Sequence, residues 1–277
     1  MIVLRSIVFN IVWYANIMVQ MVLFSPWYFT RRDRRDAWRV PTRWGQTSNW
    51  LQRHIIGTRF DVEGTQNLPP PGTGYIVAAK HQSIWEFYAL LPWLDDPAIV
   101  VKHELTRIPL FGAYIRKVGV IPIKRAKRGE ALRQMMGDAR RAIAQGRQLF
   151  IFPEGTRRAA GAPPDYRQGV TRMYEALDCP VVPVAHTSGL FWPRRRFRRY
   201  PGTLRLRFLP PIPPGLPPET FATRLEATIE GEMLKLYRAT ANDPVHPPIP
   251  PAVRELLARG GPRSAPEVAQ SGVVNPA

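Results

Sequence analysis

The chain has 277 residues, a formal net charge of +18 and a single cysteine, Cys179. That length buries one sizeable core with appendages rather than two full catalytic domains, and one cysteine excludes both an intramolecular disulfide and a thiolate metal site. The basic surplus points to polyanions: nucleic acid, anionic lipid headgroups or a phosphorylated substrate.

Residues 2–29 are almost entirely apolar, interrupted by Arg5, Asn10, Asn16 and Gln20 and closed by Pro26-Trp27-Tyr28-Phe29. The run is long enough to span a bilayer, and it lacks the basic start and small-residue cleavage site of a signal peptide. Ser6, Asn10, Asn16 and Gln20 fall within an arc of about 120° on a helical wheel. An in-plane, half-inserted helix therefore stands beside a spanning one. The basic run Arg31 to Arg39 follows directly. Each Arg near an anionic surface contributes about 1 kcal/mol, which places this flank on the cytoplasmic leaflet. A single, unpaired cysteine agrees with that reducing side of the membrane. Residues 1–45 are read as anchor and basic flank.

From about residue 46 short apolar runs alternate with helical patterns. Thr58 to Gly64 alternates like a half-exposed strand. Tyr75 to Ala79, Ala98 to Lys102, Val120 to Ile123, Leu149 to Phe152 and Val181 to Ala185 read as buried strands, and Thr203 to Leu209 as a late one. Helices are predicted over Trp85 to Leu94, Leu110 to Val118, Arg128 to Gln145 and Pro218 to Tyr237. Strands alternating with helices imply an α/β domain over 46–240, built on a mostly parallel mixed sheet flanked by helices, with the hydrophobic helix at its N-terminus. From 241 to 277 the chain is rich in Pro, Gly, Ser and Ala, so it is expected to lack structure except for a short helix at Val253 to Arg259.

His81 sits where the first central strand ends, and the carboxyl end of a strand is where α/β proteins mount chemistry. Ser83 is placed to cap the helix that follows. The next turn supplies Glu86, whose carboxylate can orient the imidazole and stabilise it once it takes a proton. A Ser-His nucleophile is disfavoured because Ser83 lacks the glycine-flanked elbow that exposes a serine. Downstream come Gly119-Val120-Ile121-Pro122-Ile123-Lys124-Arg125, Phe152-Pro153-Glu154-Gly155-Thr156-Arg157 and Val181-Val182-Pro183-Val184.

In this order and at these spacings the segments resemble the four motif blocks of the glycerolipid acyltransferase family, bacterial 1-acylglycerol-3-phosphate acyltransferases in particular. The first block departs from the pattern, carrying Glu86 where the family usually has Asp. The resemblance implies transfer of a fatty acyl group from acyl-CoA or acyl carrier protein to the sn-2 hydroxyl of lysophosphatidic acid, giving phosphatidic acid. His81 would be the base and Glu86 its orienter, with no acyl-enzyme. Arg125 and Arg157 occupy positions that bind the acceptor phosphate, and Lys102 looks like a lysine that adds to the same electropositive site. Glu154 either binds the acceptor or holds Arg157, Gly155 permits positive φ or close backbone approach, and the resemblance places Gly155 and Thr156 with them among the substrate-binding residues. The fourth block is usually linked to the acyl donor. His81, His103 and His186 lack metal-ligand spacing, so no metal is expected, and no cofactor beyond the acyl carrier.

The stretch Phe191 to Tyr200 mixes arginines with aromatic rings. Such interleaving occurs in single-strand nucleic-acid binders and on surfaces that rest on anionic lipid. Beside an apolar anchor the lipid reading is the more economical, so no nucleic-acid partner is expected. Competing acceptors are glycerol-3-phosphate, another lysophospholipid or a lyso-ornithine lipid. A non-catalytic basic module, with His81 incidental, is the reading from a different class.

Overall fold

The computed structural model describes residues 1–123 and 128–260. Its seven described strands are β1 (Thr58–Glu63), β2 (Tyr75–Ala79), β3 (Pro97–Lys102), β4 (Ile121–Ile123), β5 (Gln148–Ile151), β6 (Val181–His186) and β7 (Gly202–Phe208), hydrogen-bonded in the order β1-β7-β6-β2-β5-β3-β4. The five strands from β6 to β4 are mutually parallel. β7 runs antiparallel to β6, and β1 pairs parallel with β7. The sheet is thus mixed and mostly parallel, as the alternation of elements predicts. β2 is buried at every position, which a central strand requires when helices cover both faces.

The helices are α1 (Ile2–Thr30), α2 (Arg34–Leu51), α3 (Trp85–Ala89), α4 (Phe111–Lys117), α5 (Arg128–Ala144), α6 (Gln168–Leu177), α7 (Ser188–Phe191), α8 (Pro218–Ala241) and α9 (Pro251–Ala258). α1 packs on α2, α2 on α3, and Tyr28 of α1 stacks on Tyr114 of α4 at 4.0 Å, which makes one layer. On the other side α5 packs on α6 and α6 on α8, with α9 against α8. Adjacent strands β2 and β5 feed opposite layers: β2 leads through α3 to β3, and β5 through α6 to β6. Where neighbouring strands diverge in this way, a crevice opens beyond their carboxyl ends.

α1 is long and apolar enough to cross a membrane. Ser6, Asn10 and Gln20 turn toward the protein: Arg199 N donates to Ser6 Oγ at 2.9 Å, Asn10 Nδ2 to the Phe197 carbonyl at 3.0 Å, and Gln20 Nε2 to Thr47 Oγ1 at 2.7 Å. Leu4, Ile11, Met18 and Leu23 face outward and are exposed. That is the reverse of a soluble amphipathic helix.

Three expectations change. α2 runs through residue 45, so anchor and body share a helix; within it Arg34 grips Asp96 through Nε and Nη2 at 3.0 and 2.7 Å instead of facing lipid. α3 ends at Ala89 rather than Leu94, since Pro92 supplies no N–H to continue it. Residues 242–260, expected to be structureless around a short helix, pack on the body. Asp243 accepts from both terminal nitrogens of Arg205 at 2.7 and 2.8 Å, and Val253 of α9 is fully buried. Prolines leave little backbone freedom to lose there, so two anchors suffice.

Candidate active site

The loop after β2 is built around the Glu86 carboxylate. Glu86 lies in the first turn of α3, fully buried, and accepts from His81 Nδ1 at 2.8 Å, from the Gln82 and Ser83 amides at 2.8 Å each, and from Ser188 Oγ at 3.0 Å. Burial pushes this carboxyl up, but the bond from His81, the nearby His186 ring and the Ser83 amide outweigh it and hold the group below its ordinary value. Ser83 is also buried, and its Oγ accepts from the Trp85 amide at 2.9 Å; the N-cap itself is Ile84 rather than Ser83 as expected, so Ser83 holds the first helical amide from one position before the cap. His81 stacks on Phe152 at 3.7 Å between centroids and keeps 19% of its side chain exposed. With Nδ1 committed to Glu86, Nε2 is the nitrogen left to meet a substrate.

Beneath His81 lies a charge cluster that links three elements. Lys80 Nζ donates to Glu154 at 2.9 Å and to Glu230 of α8 at 2.6 Å, and Tyr166 Oη donates to the same Glu230 oxygen at 3.0 Å. Glu154 is therefore neither an open acceptor contact nor the partner of Arg157. It turns inward and is 2% exposed, because Lys80, buried at the end of β2, needs compensation there. Burial raises the Glu154 carboxyl, opposed by Lys80 and reinforced by Glu230. The Phe152–Arg157 turn closes with Gly155 N donating to the Phe152 carbonyl at 2.9 Å, and Gly155 adopts φ +64°, so its glycine is used for positive φ. The turn then crosses the histidine, Arg158 N donating to the His81 carbonyl at 2.8 Å.

Thr156 is exposed and Arg157 half-buried on that turn, and Lys102 is exposed at the carboxyl end of β3. Since β2, β5 and β3 are parallel neighbours, His81, Arg157 and Lys102 share one sheet edge. Among the described residues no carboxylate lies within salt-bridge distance of Arg157 or Lys102. Arg125 lies outside the described residues. On the α1–α4 side a cavity with wholly apolar walls is bounded by Met21, Trp44, Phe87, Ile99, Phe111 and Ile115, Phe87 being the residue after Glu86.

Several residues of this site escape the sequence reading. Ser188 and His186 follow the fourth block, and His186 is fully buried, its Nε2 2.7 Å from the Lys80 carbonyl. Burial lowers its pKa, against attraction to Glu86, and favours the neutral ring. Lys80 ends an apolar run and Glu230 sits beside the buried stripe of α8. A charge at each of those places is the one signal that marked them.

Residues 59–187 match the family model described as Acyltransferase. The 1-acyl-sn-glycerol-3-phosphate acyltransferase of Pseudomonas aeruginosa is 32% identical over 167 residues, covering 60% of this chain and 64% of that protein. The 1-acyl-sn-glycerol-3-phosphate acyltransferase alpha of Homo sapiens is 28% identical over 194 residues, covering 69% and 68%. The crystal structure of the 1-acyl-sn-glycerophosphate acyltransferase PlsC from Thermotoga maritima superposes with a TM-score of 0.71 at 23% identity, covering 85% of this chain and 98% of that one. The chain thus spans a little under two thirds of the Pseudomonas relative and shares the fold of the Thermotoga protein.

Proposed function

We propose that this chain, whose residues 59–187 match the Acyltransferase family model, moves a fatty acyl group from a thioester donor, acyl-CoA or acyl carrier protein, to the sn-2 hydroxyl of lysophosphatidic acid. The observation that carries this reading is the His81–Glu86 pair, 2.8 Å apart at the diverging carboxyl ends of β2 and β5. His81 Nε2 takes the hydroxyl proton as the oxygen attacks the thioester carbonyl. The tetrahedral intermediate then expels sulfur, breaking the C–S bond, and the imidazolium returns its proton to the leaving thiolate. Glu86 holds the ring and stabilises its positive charge, and Ser188 and two amides keep that carboxylate in place. The reaction requires no cofactor beyond the acyl carrier.

Lys102 and Arg157, on neighbouring strand ends, hold the acceptor phosphate in this reading, and Thr156 offers a hydroxyl beside them. Arg125, which lies outside the described residues, would complete the group in this reading. The apolar cavity next to Phe87 takes the acyl chain. α1 serves as membrane anchor, with the catalytic edge on the cytoplasmic face; its inward polar face supports a helix lying in the plane of the lipid. Purified protein assayed with labelled acyl-CoA against a panel of lysolipids tests the proposal. His81→Ala should lower turnover about 10²–10⁴-fold while thermal unfolding is unchanged. Wild-type rates in that variant would remove the proposed base.

A further inference from the structure

On the α8–α9 side of His81 the same sheet edge opens into a cleft of about 840 Å³. Its floor begins at Gln82, the residue after His81, and at Gly189; its walls are the Arg194–Tyr200 loop and the prolines before α9. The floor is fixed, because Gln82 Nε2 donates to Tyr237 Oη at 2.6 Å and its Oε1 accepts from Gly189 N at 3.2 Å. The wall is fixed as well. Arg194 donates to the Arg157 carbonyl at 2.6 Å, and buried Arg199 donates to Asn10 Oδ1 at 3.0 Å while lying over Trp192.

With those two arginines committed, Arg195, Arg196 and Arg198 are left exposed around Phe197. Among the described residues no carboxylate lies within salt-bridge distance of any of them. Like charges held together repel unless a polyanion neutralises them. Guanidinium groups beside aromatic rings match a ligand that combines phosphates with a flat base, and concavity selects a small molecule over a bilayer surface. We propose that this cleft takes the nucleotide end of an acyl-CoA donor, with Arg196 and Arg198 on its phosphates and the pantetheine arm running past Gln82 to bring the thioester to His81. The proposal rests on the acyl-transfer reading and chooses between its two donors.

The test uses the full chain in phosphatidylcholine nanodiscs, with R196Q/R198Q as the variant, both positions being exposed. Calorimetry measures binding of adenosine 3′,5′-bisphosphate, which needs no turnover, and kinetics compare acyl-CoA with the acyl thioester of N-acetylcysteamine. The nucleotide should bind the wild type and lose about tenfold or more in affinity in the variant, and the ratio of kcat/KM for the full donor to that for the truncated one should fall alike. No nucleotide binding to the wild type, or an unchanged ratio, overturns the site. So does a variant that loses only its hold on phosphatidylglycerol-containing vesicles, which assigns the arginines to the membrane, or one that loses kcat/KM for acyl carrier protein alone. Nucleotide binding without any acyl transfer by the wild type would instead sink the acyl-transfer reading and leave the nucleotide site standing.

Discussion

A carboxylate with four donors has no room for a substitute that donates. In Glu86→Gln the amide NH2 must face an N–H or O–H already aimed at that oxygen, so a buried polar mismatch replaces a hydrogen bond. Glu86→Asp keeps the charge and gives up only reach. We therefore expect Asp to retain much more acyl-transfer activity than Gln, with Gln down about 10²-fold or more; the reverse order would mean the carboxylate does not stabilise an imidazolium. Because its folded pKa is depressed, Glu86 contributes stability that is fully present above the ordinary value of 4.5 and lost as pH falls through the lower folded value. The unfolding free-energy gap between wild type and Glu86→Gln should be flat at neutral pH and shrink in acid, as measured by denaturant titration. Arg157→Ala separates a phosphate contact from a structural role: it should raise the acceptor KM about tenfold or more and leave the donor KM near wild type, and equal effects on both would argue against the contact. At this scale the sequence makes the His81–Glu86 pair legible, since the partners lie only five positions apart. It hides the inward turn of Glu154, whose partner Lys80 is 74 positions away and shares its charge with Glu230, 150 positions off. Local spacing carries no trace of such a pairing.

Elements were legible where burial on both faces produced apolar runs, as in β2, β5 and β6, and where a stripe ran at helical spacing, as in α8. The arginines of residues 31–39 suggest a flank on the membrane surface, yet most of that run belongs to α2, which carries on through Pro41. α6 is a different case: Val170, Met173, Tyr174 and Leu177 sit at helical spacing and are buried, so its signal was present though short. What ties α2 to the sheet is Asp96, which binds Arg34 and lies 3.3 Å from Arg147, itself donating to the Pro97, Val118 and Gly119 carbonyls. Asp96→Ala strands a buried guanidinium, and we expect a loss of about 3–5 kcal/mol in chemical denaturation. Asp96 precedes β3, at the end of the sheet away from His81, so the folded fraction should keep its kcat. A loss of kcat in folded protein would mean the network also shapes the catalytic edge.

For the molecule as a whole, charge and apolar surface combine into one orientation. α1 turns Ser6, Asn10 and Gln20 inward and a face of bare hydrocarbon outward, and that outward face is the one the proposed membrane anchor would use. Ile11→Glu with Met18→Glu places two charges on that face without touching the inward one. We expect the variant to move from the vesicle pellet to the supernatant in cosedimentation, and to acylate a monomeric short-chain lysolipid better than one embedded in vesicles. Retention on vesicles would favour a helix held by more than this face. The docking of α1 also bears on how the chain is made. Ser6 leaves the ribosome first, but its partner Arg199 follows 193 positions later. During synthesis the N-terminal segment must shelter in lipid, or under a chaperone, with its polar atoms still hydrated. Docking of α1 therefore waits for a segment made 193 positions later, a late and slow step set by that separation.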